Sequence, residues 1–350
     1  MFAELIAQLR AGAALAENQV TAAVAGLVDG TLPAGDKADF LAALAQKGET
    51  VEEITCFART LRDMALPVPL DEDTRAAGIL DVVGTGGDRL GTFNISTCAA
   101  IVVASAGVLV AKHGNRAVTS KIGSADVIEA LGIPLDPPPE TAAALLRDHG
   151  FVFLFAPKYH PAFQHIGPAR KLCAARGQRT IFNLLGPLLN PVRPSLALVG
   201  VPQPALCEPL ARVLQQLGSH RGMVVSGRVD AGDGAGEYLD EFSILGATTV
   251  AEFYQDHGFS VSAFDRMLVP CQPATLDDLR GGDRDVNADI IRRILRGVER
   301  GPKRDAVLLN AGAALFVAGK ARTISEGWEL AAGQIDSGRA AAKLAVLGGR

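Results

Sequence analysis

Ile79-Leu80-Asp81-Val82-Val83-Gly84-Thr85-Gly86-Gly87-Asp88 is a short, mostly apolar run that ends in three glycines within four residues. The run Ile79–Val83 suits a buried strand. A glycine-rich turn directly after a strand is where open parallel sheets bind ligands. Glycines there let backbone amides approach an anion closely, and a plain tight turn is the alternative. The spacing fits neither a P-loop nor a dinucleotide fingerprint, because the glycines crowd together and no Gly-Lys-Ser follows.

Working outward, Ser96–Ala106 has the length and small apolar character of a helix, and Val108–Ala111 reads as a second strand. Ala125–Leu131 reads as a helix capped by Ser124 and stopped by Gly132, and Phe151–Phe155 as a third strand. Strand, helix, strand, helix, strand predicts a parallel sheet with crossover helices. Leu196–Val201 and Arg221–Ser226 continue it, with a helix over Pro204–Leu217 between them. Asp305–Leu309, with helices near Ala311–Ala318 and Ile324–Ser337, completes the lobe. Upstream, Phe2, Leu5, Ile6 and Leu9 fall at helical spacing, as do Phe40, Leu41 and Leu44, with Thr21 and Pro33–Gly35 read as a cap and a break. The fold class expected is α/β. A large lobe over 75–345 carries a mostly parallel sheet flanked by helices, and a smaller all-helical domain covers 1–70. The segment from Pro157 to Pro191 interrupts the alternation. Part of it, within 158–190, is expected to join the N-terminal helices and cover the sheet's open edge.

Composition narrows the class. The chain has 350 residues, 48% hydrophobic and 21% charged, enough to bury a core larger than one small domain. A net charge of −4 and only 5% aromatic residues argue against broad nucleic-acid binding. Five cysteines without a C-x-x-C pair fit a reducing compartment. The N-terminus lacks a signal-peptide pattern, and the longest apolar stretch, around Cys98–Val110, is too short to span a bilayer. A cytoplasmic enzyme is expected.

Four further elements carry chemistry. Thr92-Phe93-Asn94-Ile95-Ser96-Thr97 leads into a helix, where hydroxyls and free amides make an anion site or simply cap the helix. Lys112-His113-Gly114-Asn115-Arg116 sets two cations at a strand end, before the hydroxyls of Thr119, Ser120 and Ser124. Asp240-Glu241 is a carboxylate pair suited to Mg²⁺ beside a polyphosphate. In a straight strand the two would face opposite ways, so a shared site needs a turn; an exposed acidic turn is the alternative. The upstream loop from Asp230 to Gly236 lacks EF-hand spacing and reads as a flexible loop. His160-Pro161 and Arg170-Lys171 lie on a basic segment, and Arg170 can hold a planar carboxylate or be merely solvated.

Taken together, Gly84-Thr-Gly-Gly-Asp88, Asn94-Ile-Ser-Thr97, Lys112-His-Gly-Asn115 and Arg179-Thr-Ile-Phe-Asn183 with Gly186-Pro187 resemble the anthranilate phosphoribosyltransferases, over nearly the whole chain. The resemblance implies a nucleoside phosphorylase/phosphoribosyltransferase-like fold and a homodimer through the helical domains. It implies transfer of the phosphoribosyl group of phosphoribosyl pyrophosphate (PRPP) to anthranilate in tryptophan biosynthesis. It implies that PRPP is surrounded by Gly84, Gly87, Asp88, Thr92, Asn94, Ile95, Ser96, Thr97, Lys112, His113, Gly114, Asn115, Arg116, Ala117, Val118, Thr119, Ser120 and Ser124. Anthranilate is expected at Gly84, Asn115, Arg170 and His160, and Mg²⁺ at Ser96, Asp240 and Glu241. No catalytic nucleophile or essential base is expected; Lys112 and His113 assist by charge and position. The runner-up functions are a pyrimidine nucleoside phosphorylase-like enzyme and a non-catalytic nucleic-acid-binding relative. Two stretches depart from the family's common pattern, Arg89-Leu90 and Ile244-Leu245-Gly246-Ala247-Thr248, which touches how the metal loop closes.

Overall fold

The computed structural model describes residues 2–116, 122–230, 236–255 and 258–348. Five helices come first: α1 (Phe2–Arg10), α2 (Glu17–Val28), α3 (Ala34–Lys47), α4 (Val51–Asp63) and α5 (Glu72–Ala76). Thr50 caps α4, accepting from Glu53 N–H at 3.2 Å, while the Glu53 carboxylate accepts from Thr50 N–H at 2.9 Å. Thr21, expected as a cap, instead lies inside α2, where its hydroxyl donates to Glu17 O at 3.0 Å.

The sheet then begins. Strand β1 (Ile79–Gly84) is followed by α6 (Ile95–Ser105), β2 (Leu109–Gly114), α7 (Ser124–Ala130), α8 (Pro139–His149) and β3 (Phe151–Phe155). After the short helices α9 (Ala156–Tyr159), α10 (Gly167–Ala175) and α11 (Phe182–Leu185) come β4 (Leu196–Gly200), α12 (Cys207–Gln216) and β5 (Arg221–Arg228). The strand order is β3-β2-β1-β4-β5, all parallel, as the sequence alternation predicts. Three strands then extend it antiparallel: β6 (Tyr238–Leu239), β7 (Thr248–Tyr254) and β8 (Gly258–Phe264). Strand β8 is an edge, and Val261 there is 51% exposed. Helices α13 (Arg284–Leu295), α14 (Pro302–Val317), α15 (Ile324–Asp336) and α16 (Arg339–Leu347) close the chain.

One core lies between α6, α14 and one face of the sheet; Ala99, Val103, Leu309 and Ala313 are buried there with Val82, Val110 and Leu198. Asp305–Leu309 is therefore the first half of α14, not a separate element: with Pro302 in its first turn and Ala-rich sequence beyond, the helix continues unbroken to Val317. The opposite face carries a core that joins the N-terminal helices, the 166–189 segment, β4 and α12. That segment docks on α3 through Gln178 Nε2 to Ala42 O (3.1 Å) and the Arg176–Asp39 ion pair (2.9 Å). It does not cover an edge. Ile166, Cys173, Leu185 and Leu189 pack in one cluster with Ala197 and Val199 of β4, a central strand, and with Val201 just beyond it, because that face offers the apolar area. All five cysteines are free. No helix among the described residues is long and apolar enough to cross a membrane.

Candidate active site

From β1 the chain moves outward to β2 and β3, then returns to place β4 on the other side of β1. The loops leaving β1 and β4 therefore diverge, and a crevice opens at their C-terminal ends. Residues Asp240 and Glu241 cross those ends on a bend just after β6. Glycines make the crossing possible. A Cβ at Gly84 would come within 2.9 Å of the Asp240 carboxyl carbon, and one at Gly200 would occupy the position of the Asp240 carbonyl. A Cβ at Gly227 of β5 would come within 2.6 Å of Ser243 Cβ and against Glu241 O. The bend is pinned from the far side as well: Phe242 N–H donates to Asn310 Oδ1 of α14 (2.9 Å) and Ser243 N–H to Thr248 Oγ1 (3.0 Å). The departing stretch Ile244–Thr248 thus closes the loop through Thr248.

The two carboxylates reach different partners. Asp240 Oδ2 accepts from Gly86 N–H at 2.6 Å, and Glu241 Oε1 accepts from Ser96 N–H at 3.1 Å. Gly86 adopts φ +71°, with open space where a Cβ would point; that left-handed turn, and not Gly87, aims the loop amide. Burial first, then the neighbouring Asp88 and Glu241 charges, push the Asp240 carboxyl well above its usual range. Burial likewise pushes Glu241 up to about 7, against the pull of Lys112. Crowded carboxylates with little positive charge nearby suit a hard divalent cation whose remaining ligands come from elsewhere, such as phosphate oxygens. Among the described residues no three His, Cys, Asp or Glu side chains are arranged to hold a metal by themselves.

Lys112 supplies the local cation. It is 1% exposed; its Nζ donates to Val82 O and reaches Ser96 Oγ at 3.3 Å. Burial lowers its pKa, opposed by Asp81, Glu241 and Asp240. His113, one residue on, faces the other side of the sheet, as strand alternation requires. There a second polar group gathers. His113 Nδ1 lies 3.3 Å from Gly186 O, and the His113 and His160 rings are 5.3 Å apart. His160 Nε2 donates to Leu189 O at 2.9 Å. Burial, then His160, drives His113 down to about 3, and burial drives His160 down to about 4, so both are neutral at pH 7. Because a carbonyl only accepts, His113 carries its proton on Nδ1 and leaves Nε2 bare.

Four residues complete this side, of which only Phe182, in the Arg179–Asn183 motif, stood in a stretch quoted for the resemblance. Asp81 is pushed up to about 6 by burial. Asn190 Nδ2 donates to Asp81 Oδ2 (2.8 Å) and Ala111 O (2.7 Å). Arg62, at the end of α4 and 6% exposed, has its Nε buried without a partner. Phe182 lies under the Arg170 guanidinium, 5.5 Å from ring centre to Cζ. Their sequence signal is faint: a lone Asp within an apolar strand is the only hint.

Other expected site residues are less uniform. Thr92 bridges to Arg280, and Asp88 Oδ1 accepts from Leu90 N–H at 3.1 Å. Ile95 is buried; Thr97 Oγ1 and Thr85 Oγ1 are buried without partners among the described residues, as is His113 Nε2. Such orphaned polar atoms are candidates for bonds that bound groups would supply. Arg116 turns outward to Asp126 (2.6 Å) and Glu129 (3.3 Å), so its charge is spent on α7. Asn115 Oδ1 accepts from Arg116 N–H at 2.7 Å. Ser124 is the first residue of α7 and not its cap; Gly123 holds that place, its N–H bonded to Asp126 at 3.0 Å. Gly114 leaves room for Phe153 and Ser124. Ala117, Val118, Thr119 and Ser120 lie outside the described residues, as do 231–235 of the Asp230–Gly236 loop. A separate groove of about 410 Å³, lined by His220, Arg221 and Tyr254, lies at the opposite end of β4 and β5. Arg221 is sandwiched there between Tyr254 and Phe316, at 4.6 and 4.3 Å; the groove has none of the crevice's convergent acids.

Residues 76–341 match the model of a glycosyl transferase family a/b domain, and residues 3–65 that of the family's helical bundle domain. An anthranilate phosphoribosyltransferase from Geobacter sulfurreducens is 46% identical, over 95% of this chain and 94% of that protein. This chain belongs to the anthranilate phosphoribosyltransferase family. Among solved anthranilate phosphoribosyltransferases, the Thermus thermophilus protein superposes with a TM-score of 0.86 at 39% identity, covering 99% of this chain and 98% of that one. The Saccharomyces cerevisiae enzyme, in complex with PRPP and Mg, gives 0.80 at 28% identity over 94% and 90% of the two chains.

Proposed function

We propose that the crevice over β1 and β4 is where this anthranilate phosphoribosyltransferase performs its reaction. The enzyme transfers the phosphoribosyl group of PRPP to anthranilate, a step of tryptophan biosynthesis, releasing pyrophosphate. The observation that carries the placement is the Asp240–Glu241 bend, held over the strand ends against Gly86, Ser96 and Lys112. In the reaction the bond from ribose C1 to pyrophosphate breaks, a C1–N bond forms, and the amine gives up one proton. Negative charge grows on the leaving group, so the task is mainly electrostatic.

Lys112 and the loop amides of Gly87 and Asp88 would face that growing charge, the Thr85 and Gly86 amides being bonded to Gly200 O and Asp240, and Thr85 and Thr97 offer buried hydroxyls that have no partner among the described residues. Asp240, Glu241 and the Ser96 hydroxyl are all-oxygen donors that would hold Mg²⁺, which when bound neutralises phosphate oxygens. Arg170 and Asn115 would take the anthranilate carboxylate, with Gly84 and His160 nearby. An aryl amine is uncharged at neutral pH, so no strong base has to unmask it; the bare Nε2 of His113 is placed to receive the proton late. The resemblance also supports a homodimer through the helical domains, where Met64 and Leu172 leave apolar surface exposed.

The deciding experiment mixes the protein with PRPP, Mg²⁺ and anthranilate and follows loss of anthranilate fluorescence. Excess EDTA is expected to stop it, and thymidine with phosphate to give no product. Turnover that survives complete metal removal would defeat the role given to Asp240 and Glu241. For the acceptor, Arg170→Ala is expected to raise the anthranilate KM about 10- to 150-fold and leave the PRPP KM in place, the loss of one charge-assisted contact. A change confined to the PRPP KM would move Arg170 to the phosphate site.

A further inference from the structure

We propose that Asn287, on α13, is a positioning residue that fixes which end of the Asn94 amide faces the crevice, making Asn94 a hydrogen-bond donor to PRPP. This rests on the placement of PRPP at the Asn94–Thr97 loop. Asn94 stands at the N-cap of α6, where an Asn side chain ordinarily accepts from the first-turn amides. It accepts none of them. The Ser96 amide is taken by Glu241 (3.1 Å), and Asn94 Oδ1 accepts instead from Asn287 Nδ2 at 3.0 Å.

The direction of that bond is settled by the next link. Asn287 is 2% exposed, and its Oδ1 accepts from Gly282 N–H at 2.8 Å. A backbone N–H can only donate, so the oxygen of Asn287 must face Gly282 and its NH₂ must face Asn94. Asn94 must then turn its oxygen inward and its own NH₂ outward. That NH₂ makes no hydrogen bond among the described residues, and the residue is partly exposed beside Ser96 and Lys112. One backbone amide thus dictates the polarity presented to the ligand: a donor, which suits phosphate and ribose oxygens.

The platform under this relay is rigid. Gly281 N–H donates to Gly91 O and Phe93 N–H to Leu279 O, both at 3.0 Å. A Cβ on Gly281 would lie 2.5 Å from Asn287 Oδ1 and 2.9 Å from Phe93 Cα. Asn is a poor helix former, and Asn287 sits in the first turn of α13 with both ends of its amide used.

Asn287→Asp tests the polarity with almost no change of shape. The Asp carboxylate only accepts, so Asn94 must flip its NH₂ inward and turn its oxygen to the phosphate. Titration calorimetry with Mg·PRPP on the full chain is expected to show affinity about 10-fold weaker or more, with the anthranilate KM unmoved. Asn287→Ala, which leaves Asn94 free to rotate, is expected to lose less. With Asn94→Ala already present, adding Asn287→Asp is expected to change affinity within about twofold, since the pair acts as one unit. A thermal melt of each variant reads folding separately. If Asn94→Ala binds PRPP normally, the PRPP placement falls and the relay with it. Weak binding by Asn94→Ala, with an Asn287→Asp loss that adds in full on top, overturns the relay alone. So does normal PRPP binding by Asn287→Asp.

Discussion

Gly200→Ala is expected to lower kcat/KM for PRPP by roughly 10²- to 10³-fold, comparable to losing a principal charge-stabilising group. Gly200 ends β4, and the methyl group would fall where the Asp240 carbonyl now lies, with the Asp240 Cα only 3.1 Å away. Nothing flexible is in the way; the obstacle is backbone. Relief must come from lifting Asp240 and Glu241 off the strand ends, which draws the carboxylates away from Gly86 and Ser96. Thr85 N–H also donates to Gly200 O at 3.0 Å, so the glycine loop shifts with it. Overpacking of this kind costs about 1–3 kcal/mol. Steady-state kinetics and a melting curve together check both halves. Unchanged PRPP kinetics would mean that the Asp240–Glu241 bend is not part of the PRPP site.

Lys112→Met is expected to cost a similar 10²- to 10³-fold in kcat/KM for PRPP, together with a lowered melting temperature. Met matches the length of the side chain but brings no charge. In the wild type the buried ammonium faces Asp81, Asp240 and Glu241 and bonds Val82 O and Ser96 Oγ. Its loss leaves growing leaving-group charge opposed by fewer cations. Removing one partner of a buried charge cluster leaves the carboxylates uncompensated and costs about 3–5 kcal/mol, so activity is compared at a temperature well below the variant's own melting point. Single-turnover rates with saturating Mg·PRPP distinguish the step affected. Full turnover by the variant would reduce Lys112 to a structural counter-ion.

The parallel half of the sheet was legible because each strand is a short apolar run followed by a turn and a helix-length segment, as in Ile79–Gly84 and Phe151–Phe155. The antiparallel strands were not, since Thr248–Tyr254 and Gly258–Phe264 mix polar and apolar residues and β8 faces water at an edge. Asp240 and Glu241 could be picked out as an acid pair, but not the reason they fit. That reason lies in Gly84, Gly200 and Gly227, three glycines on three neighbouring strands, far apart in sequence. Asp81 escaped notice because a lone polar residue inside an apolar strand looks like noise, and Arg62 and Asn287 because they sit among other polar residues; a partner often a hundred residues away is what sets Asp81, Asn190 and Asn287 apart. Arg116 is the converse case. A second cation at a strand end suggested a ligand, yet Asp126 and Glu129, about one turn apart on α7, already pair with it.

The core on the second face of the sheet has a bearing on how the chain holds together when heated or trimmed. Leu27, Phe40 and Phe57 from the first helices, Ile166 and Leu185 from the later segment, Val199 and Val224 from central strands and Leu210 from α12 are all buried in one continuous cluster. No polar seam separates the helical part from the sheet it leans on. Cutting the chain after α4 would therefore not release a freestanding bundle and a freestanding sheet. It would leave two fragments, each with a wet hydrophobic face, and neither with the apolar burial that offsets its chain entropy. The helical part is thus a wall of the same building, and it is expected to melt together with the sheet face it covers, as one transition in calorimetry.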